Sequence, residues 1–376
     1  MKITRVHVEG FRSLRDVTFE PGPVTVLIGA NGSGKSNLLR FLEFASTLGI
    51  LHLQSSVAAA GGASALLYRG KRTATEIRLG FEWERAAGQL RYDAVLMRRA
   101  EDQMYFENES VTPSSDGARL IGTIPFESRL VMTAGDVDIP ERQVVSALHA
   151  IRVFHVHDTS DHSPLRDNAF ALRHRELATD GDNLAAYLLW LKHSSDRVHQ
   201  ASWALFMGLL RRVAPFISDI QPVPVNVDPA TFRFDDPHGK LDKVYIRLEW
   251  LDEYGNRFGV SQLSDGTLRA MALFAALTQP TLPSFICIDE PELGLHPAAL
   301  NILVGLIRSV STRCQVLVAT QSPTLLDHFS PEEVVVAERI DGATQLRRLD
   351  SDKLASWLED YSLSELYEKN VLGGRP

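Results

Sequence analysis

The sequence has few cysteines and no long apolar run. Its 376 residues contain two cysteines, Cys287 and Cys314, and both lie in hydrophobic stretches that resemble strands. A secreted fold held together by disulfides is therefore excluded, and we expect buried thiols in a reducing compartment, the cytoplasm. No stretch approaches 18 consecutive apolar residues, and no signal-peptide core follows Met1. We therefore expect no membrane partner.

The sequence also lacks an excess of positive charge. It carries 39 Lys and Arg against 47 Asp and Glu, so the net charge is −8 and the pI is about 5.9. A protein that coats nucleic acid with its whole surface is normally basic, which confines any contact with nucleic acid to a local patch. Internal repeats and sustained heptads are also missing, which excludes solenoids and long coiled-coil arms.

The first half of the chain mixes short-period and helical patterns. A buried strand over 24–28 precedes a helix over 36–44, and the stretch rich in small residues over 55–65 predicts a flexible loop. From residue 76 to 96 apolar residues recur at every second position. This predicts an antiparallel sheet with one solvent-exposed face.

The second half becomes regular after a helical region. Apolar spacing predicts helices over 141–150 and 184–213. After residue 255, four-residue apolar strands alternate with helices, a pattern typical of a parallel sheet covered on both faces. The fold class is therefore α/β, with a mostly parallel central sheet.

A phosphate-binding motif stands at residues 29–36, where the chain reads GANGSGKS. It follows a buried strand and opens a helix, which is the context the motif requires. Its glycines let successive backbone N–H groups surround a triphosphate, Lys35 reaches the β- and γ-phosphates, and Ser36 binds Mg²⁺. The motif predicts ATP and Mg²⁺ as cofactors.

An acidic pair ends a later strand, in the sequence FICIDE over 285–290. Four apolar residues bury the strand, so its tip presents two adjacent carboxylates. Asp289 is expected to bind Mg²⁺, and Glu290 is expected to orient and deprotonate the attacking water. Beside an intact phosphate loop this pair favours an ATPase over a merely capped loop.

Four motifs together resemble one family. After the phosphate loop come LSDGT over 263–267, IDEPELGLHP over 288–297 and VATQSP over 318–323, in the order of an ABC-type ATPase head. The opening VEGFRSL over 8–14 and the stretch YSLSELYEKNVLGGRP over 361–376 resemble the RecF/SMC branch and its standalone predicted ATPases.

The resemblance implies a divided domain organisation. It predicts a P-loop head formed by residues 1–45 and 255–376, split by an insertion over 46–254. The insertion is expected to hold an antiparallel β sublobe over about 70–125 and a helical lobe over about 140–215.

The resemblance also assigns the signature motif to a partner's nucleotide. In such heads two ATP molecules lie between two protomers arranged head to tail, which implies an ATP-dependent homodimer. Ser264 and Gly266 would bind the γ-phosphate held by the other protomer. Asp265 stands where many of these proteins have glycine, and because an acid beside a phosphate is unfavourable, its side chain is expected to turn away or to cap the helix.

Three further positions carry over from the family. Arg12 resembles a basic residue that reaches the phosphates, although a solvated surface arginine is an equal reading. His296 lies in the loop that meets the partner head, with a helix-capping role as the alternative. Gln321 occupies the switch position and can donate a hydrogen bond there without becoming cationic. The nucleotide-binding set predicted in this way comprises Arg12, Asn31, Gly32, Ser33, Gly34, Lys35, Ser36, Asn37, Ser264, Gly266 and His296, with Glu290, Lys35 and Gln321 as catalytic residues and Ser36 and Asp289 as metal ligands.

One cluster inside the insertion resembles a metal site. His155, His157, Asp158, Asp161 and His162 lie within eight residues, and alternate residues of a strand share a face. No further ligand is evident elsewhere in the sequence, so a surface strand and turn is the favoured reading.

Three functions remain open at this level. The favoured one is a dimeric ATP-hydrolysing switch that acts on DNA, or on a DNA-acting partner protein, in DNA maintenance or phage defence. A nucleotide-gated scaffold that controls an effector such as a nuclease or toxin is the second. The ATPase subunit of a membrane transporter is the third, disfavoured by the mixed insertion and the absence of a switch histidine.

Overall fold

The computed structural model describes most of the chain. The described residues are 1–70, 74–114, 119–120, 126–130, 139–156, 158–229, 232–234 and 243–374. No helix within these ranges has both the length and the hydropathy needed to cross a membrane.

The strands of the described residues range from two to eleven residues. In chain order they are β1 (Lys2–Phe11), β2 (Leu14–Phe19), β3 (Val24–Ile28), β4 (Glu76–Arg85), β5 (Gly88–Arg98), β6 (Met104–Pro113), β7 (Arg119–Leu120), β8 (Ile151–Phe154), β9 (Ala169–Phe170), β10 (Ile217–Pro224), β11 (Tyr245–Asp252), β12 (Arg257–Gly259), β13 (Phe285–Asp289), β14 (Gln315–Thr320), β15 (Val334–Ile340) and β16 (Ala343–Arg348).

The α-helices of the described residues range from four to seventeen residues. They are α1 (Lys35–Leu48), α2 (Leu53–Ala59), α3 (Ala63–Leu66), α4 (Pro140–His149), α5 (Leu184–His193), α6 (Arg197–Val213), α7 (Asp265–Leu277), α8 (Pro297–Val310), α9 (Pro323–Leu326), α10 (Ser351–Leu358) and α11 (Leu363–Glu368).

The chain divides into two compact units. Unit 1 comprises Met1–Val153, Pro283–Cys287 and Ser311–Pro376, and unit 2 comprises Phe154–Leu282 and Ile288–Val310. The predicted head-and-insertion boundaries group the residues differently, because unit 1 also contains residues 46–153. Those boundaries stay a prediction.

Two six-stranded sheets lie in unit 1 except for the ends of β8 and β13. One has the order β2-β1-β4-β5-β6-β7, and its neighbouring strands pair antiparallel. The other has the order β16-β15-β3-β14-β13-β8, and β3 pairs parallel with both β14 and β15. Every residue of β3 is buried, which suits a central strand with both faces covered. This confirms the predicted α/β class with mixed sheets.

Helix α1 is part of one large hydrophobic cluster that also includes residues of both sheets. The ring of Phe41 lies 5.5 Å from that of Phe11 on β1 and stacks on Phe81 of β4 at 5.9 Å between ring centroids. Leu317 and Val335, from the other sheet, belong to the same cluster. Burial on several sides fixes the helix that follows the phosphate loop, so the loop starts from a rigid support.

Unit 2 is mostly helical around a small sheet. Strands β10, β11 and β12 form an antiparallel sheet, and β9 also pairs with β11. Helices α5, α6, α7 and α8 pack on one another, and α7 is buried from Thr267 to Leu277. A helix that is apolar on all sides belongs in a core, and this burial fixes the segment that begins it.

Two local predictions were wrong in detail. The stretch over 55–65 is not a flexible loop: it lies in α2, a turn and α3, because Val57 and Ala63 are buried against the core of unit 1. The helix predicted over 184–213 is two helices, α5 and α6, separated at residues 194–196. Asp196 caps the second by accepting from the backbone N–H groups of Val198 and His199.

Candidate nucleotide site

The phosphate loop of unit 1 begins where β3 ends. An added Cβ at Gly29 would collide with the carbonyl oxygen of Ala337 on β15 and lie 2.7 Å from the Oγ of Ser33. Only glycine fits at this close approach of the loop to the neighbouring strand. The sheet therefore sets where the loop starts.

Two glycines inside the loop adopt left-handed backbone. Gly32 has φ 79° and Gly34 has φ 111°. A Cβ on Gly34 would overlap the side chain of Thr344, whereas a Cβ on Gly32 would meet nothing within 4 Å. The loop is thus packed on its protein side and open at Gly32, which leaves the concave surface that a phosphate needs.

Lys35 and Ser33 are polar and yet buried, at 5% and 4% exposure. The Lys35 ammonium donates to the carbonyl oxygens of Gly29 at 2.5 Å and Ala30 at 3.2 Å, so it lies over the loop itself. Within the described residues, the buried Oγ of Ser33 has no hydrogen-bond partner. A buried hydroxyl without a partner is costly unless a ligand completes it, and this arrangement fits an anion held in the loop.

A chain of hydrogen bonds supports the loop from outside the motif. The Asn37 amide donates to the Oγ of Ser13 at 2.7 Å, and that oxygen lies 2.7 Å from the hydroxyl of Thr344. The Thr344 hydroxyl donates to the carbonyl oxygen of Ser33 at 3.0 Å, so the Ser13 proton must point to Thr344. Sequence reasoning missed Ser13 and Thr344, although Ser13 lies within the quoted VEGFRSL motif.

Two arginines of unit 1 are relevant to anion binding: Arg12, the predicted phosphate contact, and Arg339, which contacts the loop. Arg12 adopts left-handed backbone with φ 49°, and its Nε is buried without a hydrogen-bond partner among the described residues. Burial, with the nearby charge of Arg40, lowers the pKa of Arg12. On the opposite hairpin, Arg339 reaches the carbonyl oxygen of Gly32 at 3.5 Å. Adjacent guanidiniums repel each other and favour a bound anion.

A cavity of about 580 Å³ opens beside the first residues of the loop. It is lined by residues 29–31, by Gln321 and Pro323 after β14, and by Tyr367 and Glu368 of α11. The exposed side chain of Gln321, the predicted switch residue, therefore lines the same cavity as the start of the phosphate loop within unit 1. A larger cavity, of about 940 Å³, lies in unit 2 between α5 and β10. Its described lining includes none of the predicted site residues.

The segment 363–374, here called the strap, also contacts the phosphate loop. It comprises α11 and the loop that follows it. The backbone N–H of Ala30 donates to the carbonyl oxygen of Gly374 at 2.7 Å. Sequence reasoning assigned no site residue to this segment.

The acidic pair ends β13, as predicted. The strand is buried from Phe285 to Ile288, and both Asp289 and Glu290 are half-buried. Glu290 has φ 45°, a left-handed conformation that is uncommon for a residue other than glycine, asparagine or aspartate. Backbone strain of this kind persists where the surrounding structure holds a side chain in place for function.

In unit 2 the signature motif caps α7. Ser264 is the N-cap, and its Oγ accepts from the Thr267 backbone N–H at 3.3 Å and lies 2.8 Å from the Thr267 hydroxyl. Ser264 is also exposed, so capping leaves its outer side accessible. Gly266 packs against the carbonyl oxygen of Gly294, where a Cβ would collide. The helix cap and an exposed anion-binding terminus are therefore compatible here.

Arg166 stabilises the segment that leads into the signature. Its buried guanidinium donates to the carbonyl oxygens of Thr159 at 2.9 Å, Val260 at 2.8 Å and Leu263 at 3.3 Å. It also pairs with Asp265 at 2.8 Å. The carboxylate of Asp265, next to Ser264, thus faces the guanidinium of Arg166. This is consistent with the expectation that its side chain turns away. Sequence reasoning missed Arg166, because it lies 99 residues from Asp265.

A second buried arginine supports the loop after β13. Arg269 donates to the carbonyl oxygen of Leu293 and, at 3.3 Å, to that of Val156. Burial lowers its pKa, while the charges of Asp265, Asp158 and Glu292 act in the opposite direction. In the same loop, exposed His296 accepts from the backbone N–H of Ala298 through Nδ1 at 3.2 Å. His296 therefore makes the predicted alternative contact, at the start of α8.

The histidine cluster of the insertion is placed in part. His157 lies outside the described residues. The described ligand-type side chains whose atoms converge within 4.8 Å are His7, Glu9 and Asp16, on β1 and β2, and not those of the cluster. The cluster segment instead supplies carbonyl groups: Thr159 to Arg166 and Val156 to Arg269.

Comparison with known families agrees with these motifs. Residues 1–84 match the family described as "AAA ATPase domain", and residues 153–327 match that described as "AAA domain, putative AbiEii toxin, Type IV TA system". The first match includes the phosphate loop, and the second includes the signature and the acidic pair.

A short stretch is similar to a replication protein. Over 49 residues the chain is 49% identical to the DNA replication and repair protein RecF of Anaeromyxobacter sp. (strain K), and equally to that of Anaeromyxobacter dehalogenans (strain 2CP-1 / ATCC BAA-258). The stretch is 13% of this chain and 13% of each RecF, so the match spans far less than two thirds of these relatives.

Solved structures share the fold over nearly the whole chain. An SMC head bound to the C-terminal winged-helix domain of ScpA superposes with a TM-score of 0.61 at 14% identity, covering 95% of this chain and 100% of that one. The Smc head with an extended coiled coil from Pyrococcus furiosus gives 0.57 at 14% identity, covering 96% and 99%. The chain thus shares the fold of these SMC heads, and together with the family matches and the RecF similarity this supports the resemblance to RecF/SMC-like ABC-type ATPases.

Proposed function

We propose that the protein binds and hydrolyses ATP with Mg²⁺ and works as a switch that closes into a head-to-tail dimer around two ATP molecules. The observation that carries this proposal is the phosphate loop: it is rigidly held, open at Gly32, and contains a buried Ser33 hydroxyl that no described residue satisfies. A loop preorganised in this way binds phosphate without first having to fold.

The proposed chemistry combines the phosphate loop with the predicted acidic pair and the predicted switch residue. Lys35 neutralises the phosphates, and Ser36 and Asp289 supply oxygen ligands of the kind Mg²⁺ takes. When bound, Mg²⁺ neutralises the charge that develops on the transferred phosphoryl group. Glu290, held by a strained backbone, orients the attacking water and accepts its proton. Gln321 donates a hydrogen bond from the end of β14.

The second nucleotide contact comes from the partner protomer in this proposal. Ser264 is exposed at the N-terminus of α7, where the backbone N–H groups and the helix dipole favour an anion. Asp265 does not oppose this, because Arg166 compensates its charge. Ser264 and Gly266 would therefore receive the γ-phosphate of the other protomer, with His296 near the dimer interface.

The first experiment sizes the Glu290→Gln variant with and without ATP and Mg²⁺. Loss of the base blocks water activation while ATP binding is retained, so we expect a stable dimer with ATP and a monomer without it. Glu253→Gln, the same exchange in an exposed turn, is the matched control and should form no stable dimer. A Glu290→Gln variant that stays monomeric at micromolar concentration with bound ATP contradicts the sandwich.

We propose DNA, or a DNA-acting partner protein, as the target, in DNA maintenance or defence. The similarity to RecF, named for replication and repair, supports this. Because the net charge is −8, binding should be local and sensitive to salt. The test is a titration of Glu290→Gln with labelled duplex DNA. The expected result is tighter binding with ATP, and equal affinity with and without ATP counts against a DNA clamp.

A second candidate is a nucleotide-gated scaffold that controls an effector. The description of the family matched over 153–327 names a toxin of a toxin–antitoxin system, which favours this candidate. In that case ATP would drive dimerisation without changing DNA affinity, and the duplex titration distinguishes the two candidates.

A further inference from the structure

The strap is anchored along its own length before it reaches the phosphate loop. Leu372 is 1% exposed, and its carbonyl oxygen accepts from Arg347 of β16 at 2.5 Å. The backbone N–H of Gly374 donates to the carboxylate of Glu338 on β15 at 2.9 Å. Both anchors belong to the β15–β16 hairpin, so the strap lies on the same hairpin that supplies Thr344 to the loop.

At its C-terminal end, through Gly374, the strap contacts the beginning of the phosphate loop. The Gly374 carbonyl oxygen accepts two hydrogen bonds, from the Ala30 backbone N–H at 2.7 Å and from the Tyr367 hydroxyl at 3.0 Å. A Cβ on Gly374 would lie 2.6 Å from Val336 and 3.6 Å from the Cα of Gly29. The contact therefore depends on a glycine with left-handed backbone, here φ 80°, and on the buried hydroxyl of Tyr367.

The two ends of the loop are thus held by different elements. Thr344 bonds the carbonyl oxygen of Ser33 near the helix start, and Gly374 bonds the N–H of Ala30 near the strand end. Residues between these two points must supply the N–H groups that bind phosphate. Fixing the peptide of Ala30 limits the orientations of the peptides that follow. The same strap also lines the cavity beside the loop, through Tyr367 and Glu368.

We infer that Gly374 and Tyr367 are positioning residues for nucleotide binding: they hold the Ala30 peptide so that the phosphate loop is preorganised. This inference rests on the proposed nucleotide binding at the same loop. Preorganisation lowers the cost of ordering the loop when the nucleotide arrives, so its loss weakens binding of ADP and ATP alike.

The test compares two glycines with the same backbone angle. Gly374 and Gly255 both have φ 80°, but a Cβ on Gly255 meets nothing within 4 Å. Gly374→Ala and Gly255→Ala thus share the conformational cost, and only the first displaces the strap from the loop. Titration with a fluorescent ADP analogue should show about tenfold weaker binding for Gly374→Ala and wild-type affinity for Gly255→Ala. Equal affinities for the two variants would overturn the inference.

A gentler pair of variants covers the case in which Gly374→Ala does not fold. Tyr367→Phe removes one hydroxyl from the Gly374 carbonyl, and Tyr361→Phe makes the same change at a ring that contacts Trp357 and Lys369 instead. We expect Tyr367→Phe to weaken ADP binding about threefold, as for the loss of one neutral hydrogen bond, with Tyr361→Phe unchanged. Unfolding temperatures without nucleotide should stay close for this pair, and ADP should raise that of Tyr367→Phe less.

Two outcomes separate this inference from the proposed function. If wild-type protein binds no ADP and behaves like Lys35→Ala, nucleotide binding itself is wrong. If wild-type protein binds ADP and Tyr367→Phe binds it equally well, the strap is a structural support without influence on the loop, and the inference fails.

Discussion

The phosphate loop and the signature segment both begin a helix, and they are built in opposite ways. In the loop, Lys35 is only 5% exposed, and the Thr344 and Gly374 contacts hold the loop at both ends. In the signature, Ser264 and Asp265 are exposed, and side-chain support comes from the buried guanidinium of Arg166. In the proposed dimer this difference is expected, because the signature must stay open for a phosphate bound by the other protomer, whereas a loop that binds its own nucleotide gains from being rigid in advance.

The largest expected effect tests this comparison in mixed dimers, in which one protomer has a defective phosphate loop and the other a defective signature. Lys35→Ala removes the phosphate cation from one segment, and Ser264→Arg blocks the other, so each variant alone should lose ATP turnover. Mixed dimers contain one site with both defects and one with none. Random exchange makes about half of the dimers mixed, so independent sites recover roughly a quarter of wild-type turnover.

Steady-state ATPase assays across mixing ratios check this recovery. Ser261→Arg, in the short helical turn before the signature and also exposed, is the control and should remain active alone. Absence of recovery at every ratio, under conditions where ATP-dependent dimers are detected by size, means that the signature does not serve a neighbour's nucleotide.

An intermediate effect is expected at Arg166, whose loss leaves Asp265 uncompensated beside the exposed anion site. Hydrogen bonds to charged groups contribute about 1.5–3 kcal/mol, so Arg166→Gln should weaken ATP-dependent dimerisation at least tenfold, measured in the Glu290→Gln background. Binding of ATP to the monomer should not change. Asp265→Asn alone should dimerise at least as well as the parent, because it removes the acid and keeps the backbone contacts of Arg166.

The double variant Arg166→Gln with Asp265→Asn then separates charge from geometry. If compensation of charge is the main role of Arg166, the double variant recovers part of the dimer affinity. Arg173→Gln, which breaks the ion pair with Asp182 elsewhere in unit 2, is the matched control. Dimer affinity that is equal for Arg166→Gln and Arg173→Gln contradicts a special role for Arg166.

The smallest expected effect concerns the hydrogen bonds through which Thr344 supports the phosphate loop. Thr344→Val keeps the shape of the side chain and removes the hydroxyl that joins Ser13 to Ser33. The loss of one or two neutral hydrogen bonds, about 1 kcal/mol, should weaken ADP binding about fivefold. Isothermal titration measures this change directly.

Thr278→Val is the control for that measurement. It also removes a buried hydroxyl, which donates to the Phe274 carbonyl oxygen at 2.7 Å at the C-terminal end of α7. Both variants should lose a similar amount of stability, and only Thr344→Val should lose affinity for ADP. A similar loss of affinity in both would mean that general destabilisation, rather than the loop, is responsible.

Much of the candidate site could be predicted because its chemistry is contiguous. The loop over 29–36 carries its glycines, lysine and serine within eight residues, and its strand and helix were predicted from neighbouring apolar residues. The acidic pair likewise ends a run of four apolar residues. The error over 55–65 has a different origin: glycine and serine lower the helix propensity that alanine raises, and burial of Val57 and Ala63 decides the helices.

The sequence by itself determined the class of protein, the phosphate loop, the acidic strand tip and the cap that begins α7, because each depends on residues adjacent in the chain. The tertiary structure decided which distant groups complete them. Ser13 and Thr344 meet across 331 residues, Arg166 finds Asp265 across 99, and Gly374 reaches Ala30 from the strap. Such contacts follow from how sheets and helices pack. No local pattern of residues encodes which groups distant in the chain come into contact.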